Sequence, residues 1–296
     1  MRSSGAAIYT YPTRLEVIDF ISDISRFAFL QNALTASLLC GIVCGITGSY
    51  IVARRLVFLS GGITHASFGG IGMACYFGFD PLLGALLFSV ASALGLERFI
   101  AAGKVREDSA IGVLWALGMA VGIVFIFLTP GYTPNLMSFL FGSILTITTP
   151  LLWWSAALAA VLVLLFGLWG RNIIFVAFDA GFAKTQKIRV AVVDAVMLAV
   201  VAASVVITIR LVGVMLLVSL FTIPPLVSAS VARRFGHITA GAVAVAVTGL
   251  VTGLFVSYRT QLPPGASSVI VLVALYVMAR LFKAAATRRR LRRADR

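Results

Sequence analysis

Long apolar runs separated by short polar connections set the pattern of this chain. The runs cover 30–53, 62–79, 81–97, 109–129, 150–169, 190–209, 211–229, 237–256 and 266–282. A helix of about 20 apolar residues crosses a bilayer. The pattern therefore predicts an all-α, polytopic integral membrane protein with eight to nine transmembrane helices, the count being open at the closely spaced pair 190–229. Between the fourth and fifth runs, 130–149 opens with Pro130-Gly131-Tyr132-Thr133-Pro134. Its 139–147 segment, FLFGSILTI, is too short to cross alone and is expected to dip into the bilayer against other helices. Ahead of the first run, Leu15, Ile18, Ile21, Ile24 and Phe27 recur every three residues. Residues 1–29 thus read as an N-terminal extension, either an amphipathic helix at the membrane surface or an ordinary polar leader. The transmembrane domain spans 30–282, and 283–296 forms a basic cytoplasmic tail.

Composition agrees with the pattern. Of 296 residues, 60% are hydrophobic and 11% charged, whereas a soluble domain is about 25% charged. Mean hydropathy is +1.06. A soluble enzyme, a disordered chain and a fibrous protein are excluded. The net charge of +14 resembles a nucleic-acid signal until the cations are placed. With the C-terminus in the cytoplasm, 19 of 24 basic residues fall on that side, leaving Arg2, Arg14, Arg26, Arg210 and Arg259. The asymmetry orients the chain N-terminus out, C-terminus in, and argues for no nucleic acid. The chain is expected in the cell inner (plasma) membrane as a multi-pass protein. Residues 1–29 lack the short apolar core and cleavage site of a signal peptide. The longest cytoplasmic connection is 171–189, which alternates aromatic and aliphatic residues with Lys and Arg. No soluble domain stands on either side, so an energy source or capture module must be another polypeptide.

Chemistry-bearing groups are few. The chain has no GxxxxGK[ST] phosphate loop, and Gly69-Gly70-Ile71-Gly72 reads as close helix packing, as do the pairs Gly41/Gly45, Gly118/Gly122 and Gly249/Gly253. Ionisable groups at membrane depth carry more information, each being costly to insert. His65 sits among small and hydroxyl neighbours in Ser60-Gly61-Gly62-Ile63-Thr64-His65-Ala66-Ser67. Its imidazole either ligates a metal or hydrogen-bonds a neighbouring helix. Cys40 and Cys44 share a helix face and read as small buried residues; with Cys75 they form no disulfide framework. Asp194 either pairs with a basic neighbour or reaches the interface, and His237 reads as interfacial. No catalytic set is present. The chain is not an enzyme by itself and calls for no cofactor.

Several segments together resemble the membrane permease of ABC importers for zinc, manganese and iron. They are Ser49-Tyr50-Ile51-Val52-Ala53-Arg54-Arg55 with the following LVFLSGGITHASFGGIG, Asp108-Ser109-Ala110-Ile111-Gly112, Phe139-Leu140-Phe141-Gly142, and the stretch from Leu211-Val212-Gly213 through Pro224 to Ala232-Arg233-Arg234. The resemblance implies a homodimer in membrane lipid with a pathway along its two-fold axis, working by alternating access. It implies a cytoplasmic ATP-binding ABC subunit that hydrolyses ATP, and an extracytoplasmic metal-binding protein. His65 matches the histidine of the family's metal motif. Loop 171–189 corresponds to the ATPase-docking connection, which makes Phe178, Asp179, Gly181 and Phe182 contact candidates, with Lys184 and Lys187 beside them. Two departures stand out. Gly61 replaces the Asp that commonly lies four residues before the histidine, and Ser143 stands where many relatives carry Asp. Either His65 and backbone carbonyls handle a partly hydrated ion, or the substrate is a metal chelate or cofactor. The rival classes are an ion-gradient-coupled secondary transporter and a non-transporting scaffold.

Overall fold

The computed structural model describes residues 15–101, 103, 106–130 and 147–294, and every regular element among them is helical. In chain order these are α1 (Leu15–Arg26), α2 (Ala28–Ala53), α3 (Val57–Phe77), α4 (Pro81–Ala101), α5 (Glu107–Leu128), α6 (Thr149–Phe178), α7 (Ala180–Thr185), α8 (Val190–Val231), α9 (Phe235–Thr260) and α10 (Pro264–Ala294). The all-α, polytopic expectation holds. The 130–149 stretch falls almost wholly outside the described residues, and so do its Phe139-Leu140-Phe141-Gly142 motif and Ser143.

Seven of these helices, α2, α4, α5, α6, α8, α9 and α10, are long and apolar enough to cross a membrane. The expected eight to nine differs from this for two physical reasons. Helix α3 is 21 residues long, but its Gly, Ser, Thr and His content dilutes its hydropathy. Helix α8 is 42 residues made of two helices joined at a kink, so the two runs expected at 190–209 and 211–229 are counted there as one. A straight helix of that length would extend ~63 Å, about twice the hydrocarbon thickness. Gly213 interrupts it at φ 80°, ψ 169°, a backbone region essentially confined to glycine.

Helix ends are also placed differently from the apolar runs. The α6 helix continues through the first part of the 171–189 connection to Phe178, and α10 continues through the basic tail to Ala294. Between α3 and α4 the turn is chemically specified. Gly78 takes the left-handed conformation at φ 75°, and the Asp80 carboxylate accepts from the Leu82 and Leu83 amides at 2.7 and 3.1 Å ahead of Pro81.

Helix α2 is the centre, with 72% of its spanning window buried against 17% for α5 and α10. It packs on α6, α8 and α9, while α3 lies against α4, α5 and α8. The expected glycine contacts are all present. A Cβ on Gly45 would stand 2.5 Å from the Val243 Cα, and one on Gly48 would stand 2.6 Å from the Phe221 carbonyl. Gly41 meets Val247, Gly249 meets Leu272, and Gly253 meets Ser268. Gly70 and Gly84 press on each other's backbones, Gly72 lies on Gly122, and Gly118 lies on Ala66. Small residues thus let backbones touch where lipid supplies no hydrophobic drive for association. A Thr47–Ser204 hydroxyl pair at 3.1 Å adds polar contact between α2 and α8. Phe127, Leu168 and Trp153 point outward, 87, 79 and 69% exposed, as lipid-facing side chains do.

At the N-terminal end, α1 folds its Phe20 ring onto Phe255 and Tyr258, each 5.2 Å between centroids. The Tyr258 hydroxyl donates to the Asp23 carboxylate. This segment is therefore helical and tied to α9.

Candidate functional site

His65 lies in the middle of α3, and the chemistry around it is spare. The hydroxyls of Thr64 and Ser67 donate to carbonyls of their own helix, Ser60 and Thr64, at 2.7 and 2.6 Å. Such back-bonding satisfies them locally and leaves the imidazole without a hydroxyl partner. Its Nδ1 is buried and has no hydrogen bond among the described residues. The ring instead stacks on Trp115 of α5, with centroids 4.0 Å apart and planes inclined by 11°. The reading of His65 as a histidine bonded to a neighbouring helix therefore finds no partner for that nitrogen.

One turn earlier on the same face, a Cβ at Gly61 would meet nothing within 4 Å, and the same is true at Gly112 on α5. Phe58, 75% exposed, continues the face outward. Gly61 is thus unlike Gly70 or Gly118: among the described residues nothing packs against it. Among the described residues, no three His, Cys, Asp or Glu side chains gather to hold a metal. His65 is a single imidazole on the helix face that Gly61 shares one turn away. Trp115 is the neighbour that sequence reasoning missed, fifty positions away on another helix. An aromatic at membrane depth gives no signal that it stacks on a histidine.

The second ionisable centre lies where α2, α4, α6 and α8 converge. Asp194 does pair with a basic residue, but not with its near neighbour Arg189. Its Oδ1 accepts from Arg54 Nη2 at 2.7 Å, a 140-residue separation. Arg54 Nη1 donates to the Val176 carbonyl at 3.1 Å. The pair borders a cavity of about 360 Å³ whose wall also carries Glu97 of α4. Cys40 and Cys44 are buried 3.7 Å apart, and the Cys44 sulfur is 3.8 Å from the Thr208 hydroxyl. They are packed interior residues. His237 is exposed at the start of α9.

The six docking candidates cluster around α7. Phe178, Asp179, Gly181, Phe182, Lys184 and Lys187 are all exposed, while Ala183 between them is fully buried. Asp179 caps α7, its Oδ1 accepting from the Phe182 amide at 2.9 Å. The Phe182 ring meets Phe175 edge-on at 5.4 Å, which holds α7 against the end of α6. A short helix with a buried foot and an aromatic, cationic outer face is an apt protein-binding surface.

Residues 26–283 match the ABC 3 transport family. The chain belongs to that family. An uncharacterized membrane protein of Synechocystis is 38% identical over 258 residues, covering 87% of this chain and 92% of that protein. The manganese transport system membrane protein MntC of Halalkalibacterium halodurans is 28% identical over 263 residues, covering 89 and 90% of the two chains. Among solved structures, PsaBC from Streptococcus pneumoniae, in complex with Fab, superposes with a TM-score of 0.80 at 25% identity, covering 89% of this chain and 95% of that one. The kinship with metal ABC importer permeases expected from the sequence therefore holds, and the chain is a multi-pass membrane component of a transporter.

Proposed function

We propose that this chain forms the translocation pathway of an ATP-driven importer of a divalent metal ion, zinc, manganese or iron, and that the ion passes His65. The observation that carries this reading is a buried His65 Nδ1 with no partner among the described residues, one turn from Gly61, where an added Cβ meets nothing within 4 Å. A neutral imidazole is a good ligand for these three metals. A single donor binds loosely, which suits a site that must release its cargo to the next position. Similarity to a protein named for manganese transport supports the metal class.

The chain acts as a homodimer in this reading, with a cytoplasmic ATP-binding subunit seated on α7 and an extracytoplasmic protein delivering the metal. Nucleotide-driven closure of the ATPases moves the helices beside α7 and alternates access to the His65 face. Asp194 is held by Arg54, so it is not a free acid for coupling to an ion gradient, and this weighs against a secondary transporter.

A second reading is favoured by one observation. Gly61 is open and carries no carboxylate, which would admit a metal chelate as readily as a bare ion. Uptake into liposomes holding the permease with its co-purified ATPase and binding protein separates the two. The first reading predicts ATP-dependent entry of free zinc, manganese or iron. Entry of a chelate alone would replace it with the second, and entry that follows an ion gradient without ATP would refute both.

A further inference from the structure

We infer that Arg54 is the positioning residue through which movement of the α7 docking segment reaches the membrane helices. This rests on the proposal that a partner ATPase seats on that segment. Arg54 stands at the C-cap of α2, and the chain there is fixed by a Schellman motif. The Leu56 amide donates to the Ile51 carbonyl at 2.8 Å and the Arg55 amide to Val52 at 3.2 Å, with Arg55 left-handed at φ 61°. Arg55 occupies the position that glycine usually takes, a conformational cost that the two hydrogen bonds offset, and Arg54 projects from this hydrogen-bonded terminus.

The guanidinium then spans two other elements. Val176 lies in the last turn of α6, where helix carbonyls lose their amide partners, and its carbonyl receives Arg54 Nη1. Two residues later the chain leaves α6 at Phe178 and enters α7 through Asp179. The other nitrogen of the same fork binds Asp194 in the first turns of α8. One planar group thus joins the end of the central helix α2, the base of the docking segment and the start of the helix that carries the Gly213 break. Push on α7, and the rigid fork moves Val176, Arg54 and Asp194 as one unit. Lysine cannot reproduce this, because an ammonium is a point donor without the two-pronged geometry.

The test uses permease with the ATP-binding subunit and binding protein that co-purify with it, reconstituted in liposomes. ATP hydrolysis and metal uptake are measured separately for wild type, Arg54→Lys and Asp194→Asn. Both variants keep size and polarity, so loss of folding is minimised, and thermal stability of each complex serves as a control. The inference predicts normal ATPase retention and hydrolysis within about twofold of wild type, while metal moved per ATP falls by about tenfold. Hydrolysis and uptake falling in parallel, both remaining unchanged, or loss of the ATPase from the variants alone would overturn it. Absence of an ATPase from the wild-type complex would instead overturn the docking proposal, and this inference with it.

Discussion

At the end of α2, Arg54 meets a carboxylate and a helix carbonyl at 2.7 and 3.1 Å. On α3, His65 has an indole against its ring and a buried nitrogen with no hydrogen bond among the described residues. Arg54 lies at the C-cap of α2 and His65 within α3, both packed in the helical bundle, where an unsatisfied polar group is expensive. The first meets that demand within the protein, and its side chains retain only 27 and 12% exposure. The second does not meet it among the described residues. The difference separates a joint from the proposed site: charges that satisfy one another hold helices together, whereas the imidazole has no such partner among the described residues.

Breaking the joint should have the largest effect on stability. Replacing Asp194 by Ala leaves the Arg54 guanidinium without its carboxylate. Such loss costs about 3–5 kcal/mol for a fully buried pair and about 0–1 for a surface pair. For this partly exposed pair a value on the order of 2 kcal/mol is expected, read as earlier loss of folded protein on heating in detergent. Unchanged melting would mean that the ion pair contributes nothing to the fold.

Next comes the glycine frame that holds the His65 face. A side chain on Gly70 would press on the Gly84 backbone. Gly70→Val is therefore expected to cost about 1–3 kcal/mol through overpacking. The same change at Gly61, where a Cβ meets nothing within 4 Å, should stay within about 0.5 kcal/mol. Equal losses at the two positions, measured by the same thermal assay, would erase the distinction between packing glycine and site glycine.

The docking surface supplies the smallest change in the fold. Lys184 and Lys187 are exposed, so Lys184→Glu with Lys187→Glu should leave melting within about 0.5 kcal/mol while reducing ATPase co-purification. Undiminished co-purification would count against α7 as the seat of the partner.

Much of this architecture was legible because membrane insertion imposes a simple rule on the sequence. Apolar length marked the spans, and the Gly41/Gly45, Gly118/Gly122 and Gly249/Gly253 pairs marked the close crossings. Hydropathy reports where a helix leaves the bilayer, however, and not where it ends. That is why α6 passes 169 to reach Phe178 and α10 passes 282 to reach Ala294. His65 was visible as a rare titratable group at depth, but its Trp115 stack was not, because stacking depends on helix rotation that periodicity leaves unset. Asp194 was expected to pair with a basic neighbour or to reach the interface. Its partner Arg54 lies 140 residues away, and tertiary packing alone brings them together.

The central claim is that His65 handles a metal on a face where Gly61 leaves room. Metal uptake at limiting concentration, compared among wild type, His65→Ala and Gly61→Asp in reconstituted complexes of equal ATPase content, tests it most directly. The account predicts that His65→Ala lowers uptake by about tenfold, as expected when a ligand is removed. It also predicts that Gly61→Asp folds normally and retains the ion longer, because a carboxylate then faces the imidazole one turn away. Uptake unchanged in His65→Ala, with no effect of Gly61→Asp on metal retention, would place the pathway elsewhere in the bundle.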